Sequence, residues 1–197
     1  MTRFLTETSR LEAFSDGVLA VIITIMVLEL RPPEGTTLRS LFPVLPTVAT
    51  YALSFIFIGI YWNNHHHMLR ASRGIDGRAM WANLHLLFWL SLVPFATAWL
   101  GRNPSAVGPT ALYGVILFMN AIAYTLLQLA LLEVNGRDGP FARAVAVDRK
   151  GRLSIVLYVL AIGTAFITTV LADVIFVAVA IMWIVPDRRF EPLINLK

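Results

Sequence analysis

The run Arg10-Leu11-Glu12-Ala13-Phe14-Ser15-Asp16-Gly17-Val18-Leu19-Ala20-Val21-Ile22-Ile23-Thr24-Ile25-Met26-Val27-Leu28-Glu29-Leu30 decides the fold. From Leu11 to Leu30 it supplies the roughly 20 predominantly apolar residues that a helix needs to cross a bilayer. Near its start it carries an arginine, a serine and an aspartate. A carboxylate at the bilayer centre costs about 3 kcal/mol or more, so an acid inside a span faces a protein interior or a water path. A first span of this kind points to movement of ions or protons, or to a polar network that shapes such a path.

The rest of the chain agrees with a membrane setting. Of its 197 residues, 57% are hydrophobic and 14% charged, against roughly 25% charged in a soluble domain. Mean hydropathy is +0.71. The absence of cysteine rules out a disulfide frame, a thiolate metal site and a cysteine nucleophile. A formal charge of +4 could suit nucleic acid, but basic residues collected in cytoplasmic loops explain it better, so no nucleic-acid partner is expected. The first apolar run carries Asp16 and lacks a basic cluster followed by a small-residue cleavage site. It therefore reads as a retained span, not as a signal peptide.

Six apolar runs make one all-α, polytopic domain over residues 1–197: Leu11–Leu30, Val44–Met68, Met80–Leu100, Thr110–Leu132, Leu153–Leu171 and a short sixth, Val174–Val185. The sixth covers roughly 18 Å of a 30 Å core. Ala172-Asp173 separates it from the fifth without a real loop, so it is either a short packed helix or a continuation of span five. Pro32-Pro33, Gly74 with Gly77, Pro104 with Gly108, and Gly136 with Gly139-Pro140 punctuate the other turns. With six spans, Arg3, Arg10, Arg70, Arg73, Arg78, Arg137, Arg143, Arg149, Lys150, Arg152, Arg188, Arg189 and Lys197 share one side, and Arg31, Arg39 and Arg102 the other. The positive-inside rule then puts both termini in the cytoplasm.

That topology gathers scattered polar residues into a belt near the cytoplasmic end. Ser15 and Asp16 lie just inside span one, His65, His66 and His67 in the last turn of span two, and Asn83 and His85 in the first two turns of span three. Asp16 can accept a hydrogen bond from a histidine or asparagine on a neighbouring helix, which offsets part of its desolvation cost. A structural knot pinning three helices is an equally good account of the belt. Three consecutive histidines point in different directions on a helix, so a zinc site, which needs convergent ligands, is not expected.

Gly17, Val21, Thr24 and Leu28 recur at helical spacing and share one stripe of span one. Small and hydroxyl residues there suit close helix packing. The same stripe also suits a pore wall, with an apolar ring that gates by dewetting and a threonine ring that replaces part of an ion's water shell. One stripe makes a pore only when several copies surround an axis.

The pattern Arg10-x-x-x-Phe14-Ser15-Asp16-Gly17-Val18, with Ala20-Val21-Ile22-Ile23-Thr24 and Val27-Leu28-Glu29-Leu30, closely resembles the signature of the prokaryotic TMEM175 potassium channels. Trp62 with His65 and His66 is similar to the end of that family's second span, and Trp81, Asn83-Leu84 and Pro94-Phe95 to its third. Later spans match in hydropathy alone. The resemblance implies a homotetramer of six-helix subunits around a pore lined by span one. Neither a voltage-sensor helix nor a Thr-Val-Gly-Tyr-Gly filter is implied, and neither is in the sequence. Carried over by position, Gly17, Val21, Thr24 and Leu28 line the pore, Val21 forms its hydrophobic gate, and Thr24 forms its selectivity layer. Arg10, Ser15, Asp16, His65 or His66, and Asn83 form an inter-helix network behind them. The family more often carries isoleucine where Val21 stands, which implies a slightly wider constriction and weak-to-moderate preference for potassium over sodium.

The leading expectation is a passive, potassium-permeable cation channel in the prokaryotic inner membrane. Its partners are potassium ions and lipid. It needs no cofactor or resident metal, performs no enzymatic reaction, and is compatible with a proton leak. The alternative is a proton-coupled transporter using Asp16 and a histidine as relay, although no internal repeat supports it. Glu29 and Arg31 read as solvated interface residues or as an outer cation-gathering rim. The loop Glu133–Arg152 reads as a solvated linker or as a surface helix over Phe141–Val147, with Arg143 beside anionic lipid. Trp62, Trp81, Trp99 and Trp183 suit an aromatic belt, and Gln128 an inter-helix hydrogen bond.

Overall fold

The computed structural model describes residues 7–185 and Phe190; Arg3, Arg188, Arg189 and Lys197 lie outside them. The described residues form α1 (Ser9–Leu28), α2 (Leu45–Ala71), α3 (Gly77–Ser91), α4 (Val93–Arg102), α5 (Val107–Asn135), α6 (Pro140–Ala146), α7 (Arg149–Ala165) and α8 (Thr169–Ile184), with no β-strand among them. Helix α1, the stretch Leu38–Ala71, the α3–α4 pair and α5 are long and apolar enough to cross a membrane.

Local chemistry sets the helix boundaries. A 3-10 helix over Leu38–Val44 leads into α2, whose first turn holds Pro46 where no backbone donor is needed. The Asp76 side chain caps α3 by accepting from the Ala79 amide at 2.9 Å, and the Asp148 side chain caps α7 by accepting from the Gly151 amide at 2.8 Å. Helix α5 stops at Gly136, whose φ of 85° suits a residue without Cβ.

The third apolar run is two helices, because Pro94 has no N–H for the i−4 carbonyl and its ring crowds that position. The chain breaks at Leu92 and resumes as α4. The fifth and sixth runs divide at residues 166–168, earlier than Ala172-Asp173, so Asp173 belongs to the first turns of α8. At 16 residues α8 is about 24 Å long, longer than the sequence expectation.

Helix α5 runs through the middle of the bundle, and Tyr113, Leu117, Leu127 and Leu131 are fully enclosed along it. Phe176 of α8 packs edge-on to Tyr113 with centroids 5.3 Å apart. Hydrogen bonds tie the bundle at several depths. At one end Thr47 donates to the Gly101 carbonyl at 2.9 Å, and Arg102 pairs with Glu29. Further in, Thr97 donates to Ser54 at 2.7 Å, and Ser54 shares a 2.9 Å bond with Tyr113. At the other end Asn135 donates to Ser72 at 2.8 Å and accepts from the Arg73 amide at 2.9 Å. There too Lys150 closes α8 by donating to the Met182 and Val185 carbonyls at 3.0 and 2.9 Å.

Candidate functional site

Helix α1 sits at the edge of this bundle and is packed on one side alone. Leu11, Ser15, Leu19, Ile22 and Met26, spaced four, four, three and four residues apart, face α2, α3 and α4 and are buried. The opposite stripe is bare: Val21 is 55% exposed and Leu28 78%, and Gly17 and Thr24 are exposed with them. An ideal Cβ built at Gly17 meets nothing within 4 Å.

The buried stripe contains one polar residue, Ser15, and that residue anchors a chain of hydrogen bonds. Asn83 donates through Nδ2 to Ser15 Oγ at 3.0 Å, and His65 Nε2 lies 2.6 Å from Asn83 Oδ1. A carboxamide oxygen only accepts, so His65 carries its hydrogen on Nε2. All three groups are sealed from solvent, at 0%, 0% and 2% exposure. One line of bonds therefore crosses from α1 through α3 to α2.

Asp16 belongs to a second, more exposed contact. Its Oδ1 accepts from the Trp62 indole N–H at 2.9 Å, and His66 stacks on Trp62 with centroids 6.2 Å apart. The expected histidine or asparagine donor to Asp16 is thus replaced by tryptophan. Trp62 and His66 are four residues apart and share a face of α2, whereas His65 is turned about 100° away, toward Asn83. The structure brings Ser15, Asn83 and His65 together, sets Asp16, Trp62 and His66 beside them, and leaves Arg10 exposed without a hydrogen bond or ion pair to the described residues. His85 takes no part in the belt and accepts from Trp89 of its own helix at 2.9 Å.

Other expectations shift as well. Trp62, a residue of the expected aromatic belt, is also the donor to Asp16. Glu29 is bonded to Arg102 and is not merely solvated, and sequence spacing could not pair residues so far apart. Gln128 is buried, and its Nε2 meets no hydrogen-bond acceptor among the described residues, so the expected inter-helix bond is not made through that atom. Trp183 turns inward and donates to Ser154 at 2.8 Å.

The Thr24 hydroxyl donates to the Val21 carbonyl at 2.9 Å. Its hydrogen is therefore directed into the helix, and the oxygen lone pairs are left for the exposed side. Alongside the bare stripe, α1 and α4 enclose an apolar groove of about 1210 Å³, lined by Phe14, Val21, Ile25, Phe95 and Trp99.

Comparison with known proteins places this geometry. The family described as endosomal/lysosomal potassium channel TMEM175 matches residues 10–94, the segment that holds α1, both hydrogen-bonded contacts and the start of α4. A potassium channel of Chryseobacterium sp. (strain P1-3) is 50% identical over 182 residues, covering 92% of this chain and 95% of that protein. An endosomal/lysosomal proton channel TMEM175 of Danio rerio is 25% identical over 137 residues, covering 67% of this chain and 25% of that one. The fold superposes, with a TM-score of 0.80 and 29% identity, on the crystal structure of a lysosomal potassium-selective channel TMEM175 homolog from Chamaesiphon minutus, covering 92% of this chain and 98% of that one. With its anchored first helix, several bilayer-length apolar helices and a 50%-identical full-length relative, the chain is an integral membrane protein that belongs to the TMEM175 family of ion channels.

Proposed function

We propose that the chain forms a potassium-permeable cation channel, a homotetramer in the prokaryotic inner membrane with α1 of each subunit lining the central pore. The observation that carries this reading is the bare stripe Gly17, Val21, Thr24 and Leu28, opposite a face locked into the bundle. A helix held on one side and open on the other is the element that several copies can place around an axis.

In that arrangement Val21 forms the narrow apolar ring. Water leaves a small apolar ring readily, and dewetting stops ions without a plug. Thr24, one turn further along, offers oxygen lone pairs to a cation, since its hydrogen is already given to Val21. Four valines, each one methylene smaller than isoleucine, close less tightly, which supports a potassium preference below about a hundredfold, or about 2.8 kcal/mol. Ser15, Asp16, His65, His66 and Asn83 hold the inner half of α1 in place. Arg10, exposed on the first turn, is available to a neighbouring subunit. Both termini lie in the cytoplasm, supported by Arg70, Arg73, Arg78, Arg137, Arg143, Arg149, Lys150 and Arg152 at one end of the bundle.

Flux into liposomes under potassium and then sodium gradients tests the proposal. Val21→Asn makes the ring polar and is expected to raise uncoupled potassium flux while leaving the bundle intact. Flux that saturates and depends on a proton gradient would overturn the channel in favour of coupled transport.

A further inference from the structure

Helix α6 connects α5 to α7 at the same end of the bundle as the α2–α3 turn. One side of it is fixed. Phe141 and Ala144 are buried, and Phe141 packs against Phe190 with ring centroids 5.3 Å apart. That docking turns the other side outward, where Arg143, Ala146 and Val147 are exposed, Val147 at 59%. The Asp148 cap then starts α7 directly beneath, and its first turns expose Arg149, Arg152, Leu153 and Val156.

The charges on this surface are unequal in their commitments. Arg137 is paired with Glu133, and Lys150 is spent on the α8 carbonyls. The Arg152 side chain reaches the Ala146 carbonyl at 3.1 Å and meets no acid among the described residues, and the Arg143 and Arg149 side chains make no hydrogen bond or ion pair with them. The nearby Asp148 carboxylate is buried at the helix cap, and Asp138 lies on the preceding turn. Just past the arginines the exposed surface of α7 becomes apolar and continues as Val159 and Leu160. Guanidiniums bordering an exposed apolar stripe suit the headgroup boundary of a bilayer, and guanidinium forks match phosphate oxygens.

We propose that Arg143, Arg149 and Arg152, at the α6–α7 junction, form a binding surface for the headgroup of an anionic phospholipid, whose acyl chains lie along the apolar face of α7. The partner is a lipid and not a free anion, because the charged cluster and the exposed Val147, Leu153 and Val156 form one continuous surface. The apolar half of such a surface has no use for inorganic phosphate.

The test is binding of short-chain phosphatidylglycerol and phosphatidylcholine to the full-length protein in neutral detergent, where bilayer surface potential is absent. Wild type is expected to prefer phosphatidylglycerol. Each arginine hydrogen-bonded to a headgroup phosphate oxygen contributes about fivefold, so Arg143→Gln/Arg149→Gln/Arg152→Gln is expected to weaken phosphatidylglycerol binding by up to about a hundredfold. Arg73→Gln/Arg78→Gln/Arg137→Gln, which removes equal charge from the same end, is expected to stay within about twofold. Should the first triple variant not fold, Arg143→Gln alone is expected to lose about fivefold. Equal losses in both triples, no preference in wild type, or competition by inorganic phosphate as effective as by lipid would each overturn the proposal.

Discussion

The neutral Asn83 carboxamide donates to Ser15 through Nδ2 and accepts from His65 through Oδ1. Replacing it with alanine leaves a buried hydroxyl and a buried ring N–H without partners in a site closed to water. Each orphaned group costs about 1–3 kcal/mol, so Asn83→Ala is expected to destabilise the folded chain by about 2–6 kcal/mol. A wild-type unfolding midpoint for this variant in detergent would remove the network from the account of how α1 is held. Much at this scale was legible in the sequence. The alternating direction of the spans puts Ser15, His65 and Asn83 at one depth. The partner of Asp16 was not legible, because depth says nothing about azimuth. Trp62 and His66 share one face of α2 and His65 another, and the rotation of α2 against α1 comes from tertiary packing.

Two glycines on two helices make opposite predictions. Gly114 of α5 packs against α7 and α8, and a Cβ there would stand 2.9 Å from the half-buried Ile162 and 3.1 Å from the buried Phe176. Gly114→Ala is expected to cost about 1–3 kcal/mol by overpacking, read as a lowered unfolding midpoint. Gly17 of α1 has open space where its Cβ would go. Gly17→Ala is expected to leave the midpoint unchanged or raise it, since alanine is the better helix former by about 1 kcal/mol. The same change is expected to alter potassium flux if the stripe lines a pore. Unaltered flux would argue that Gly17 faces lipid. Helix existence was clear from apolar run length alone. The break at Leu92 and the division at 166–168 were hidden inside continuous apolar runs, where composition does not register a kink and lone polar residues such as Asp173 mislead.

At the scale of the whole molecule, the proposed pore needs more than one copy of the chain. The bare face of α1 and the apolar groove beside it, with Val21 common to both, together leave a strip too apolar for water to be its neighbour on every side. A detergent-solubilised mass of four subunits by light scattering is expected, and a stable monomer that still conducts would refute the proposed axial pore. The number of copies is invisible in one chain's sequence, since hydropathy marks what leaves water and not how many copies share the leaving. The all-helical, membrane-spanning character of the bundle, by contrast, followed from run lengths and turn residues.

The α7–α8 hairpin is short for its surroundings. Its arms hold 17 and 16 residues, about 26 and 24 Å, against a hydrocarbon thickness of about 30 Å. Its tip is Phe166 and Ile167, 70% and 84% exposed, side chains that gain nothing by rising into water. One flank of the bundle is therefore shallower than the central helices, and a bilayer of ordinary thickness would dip beside it to meet the tip. Such a dip stores elastic energy that grows with bilayer thickness, at fractions of a kcal/mol per ångström of mismatch. Around a ring of four subunits the dips would form a scalloped rim, making the host membrane's thickness a mechanical load on the assembly.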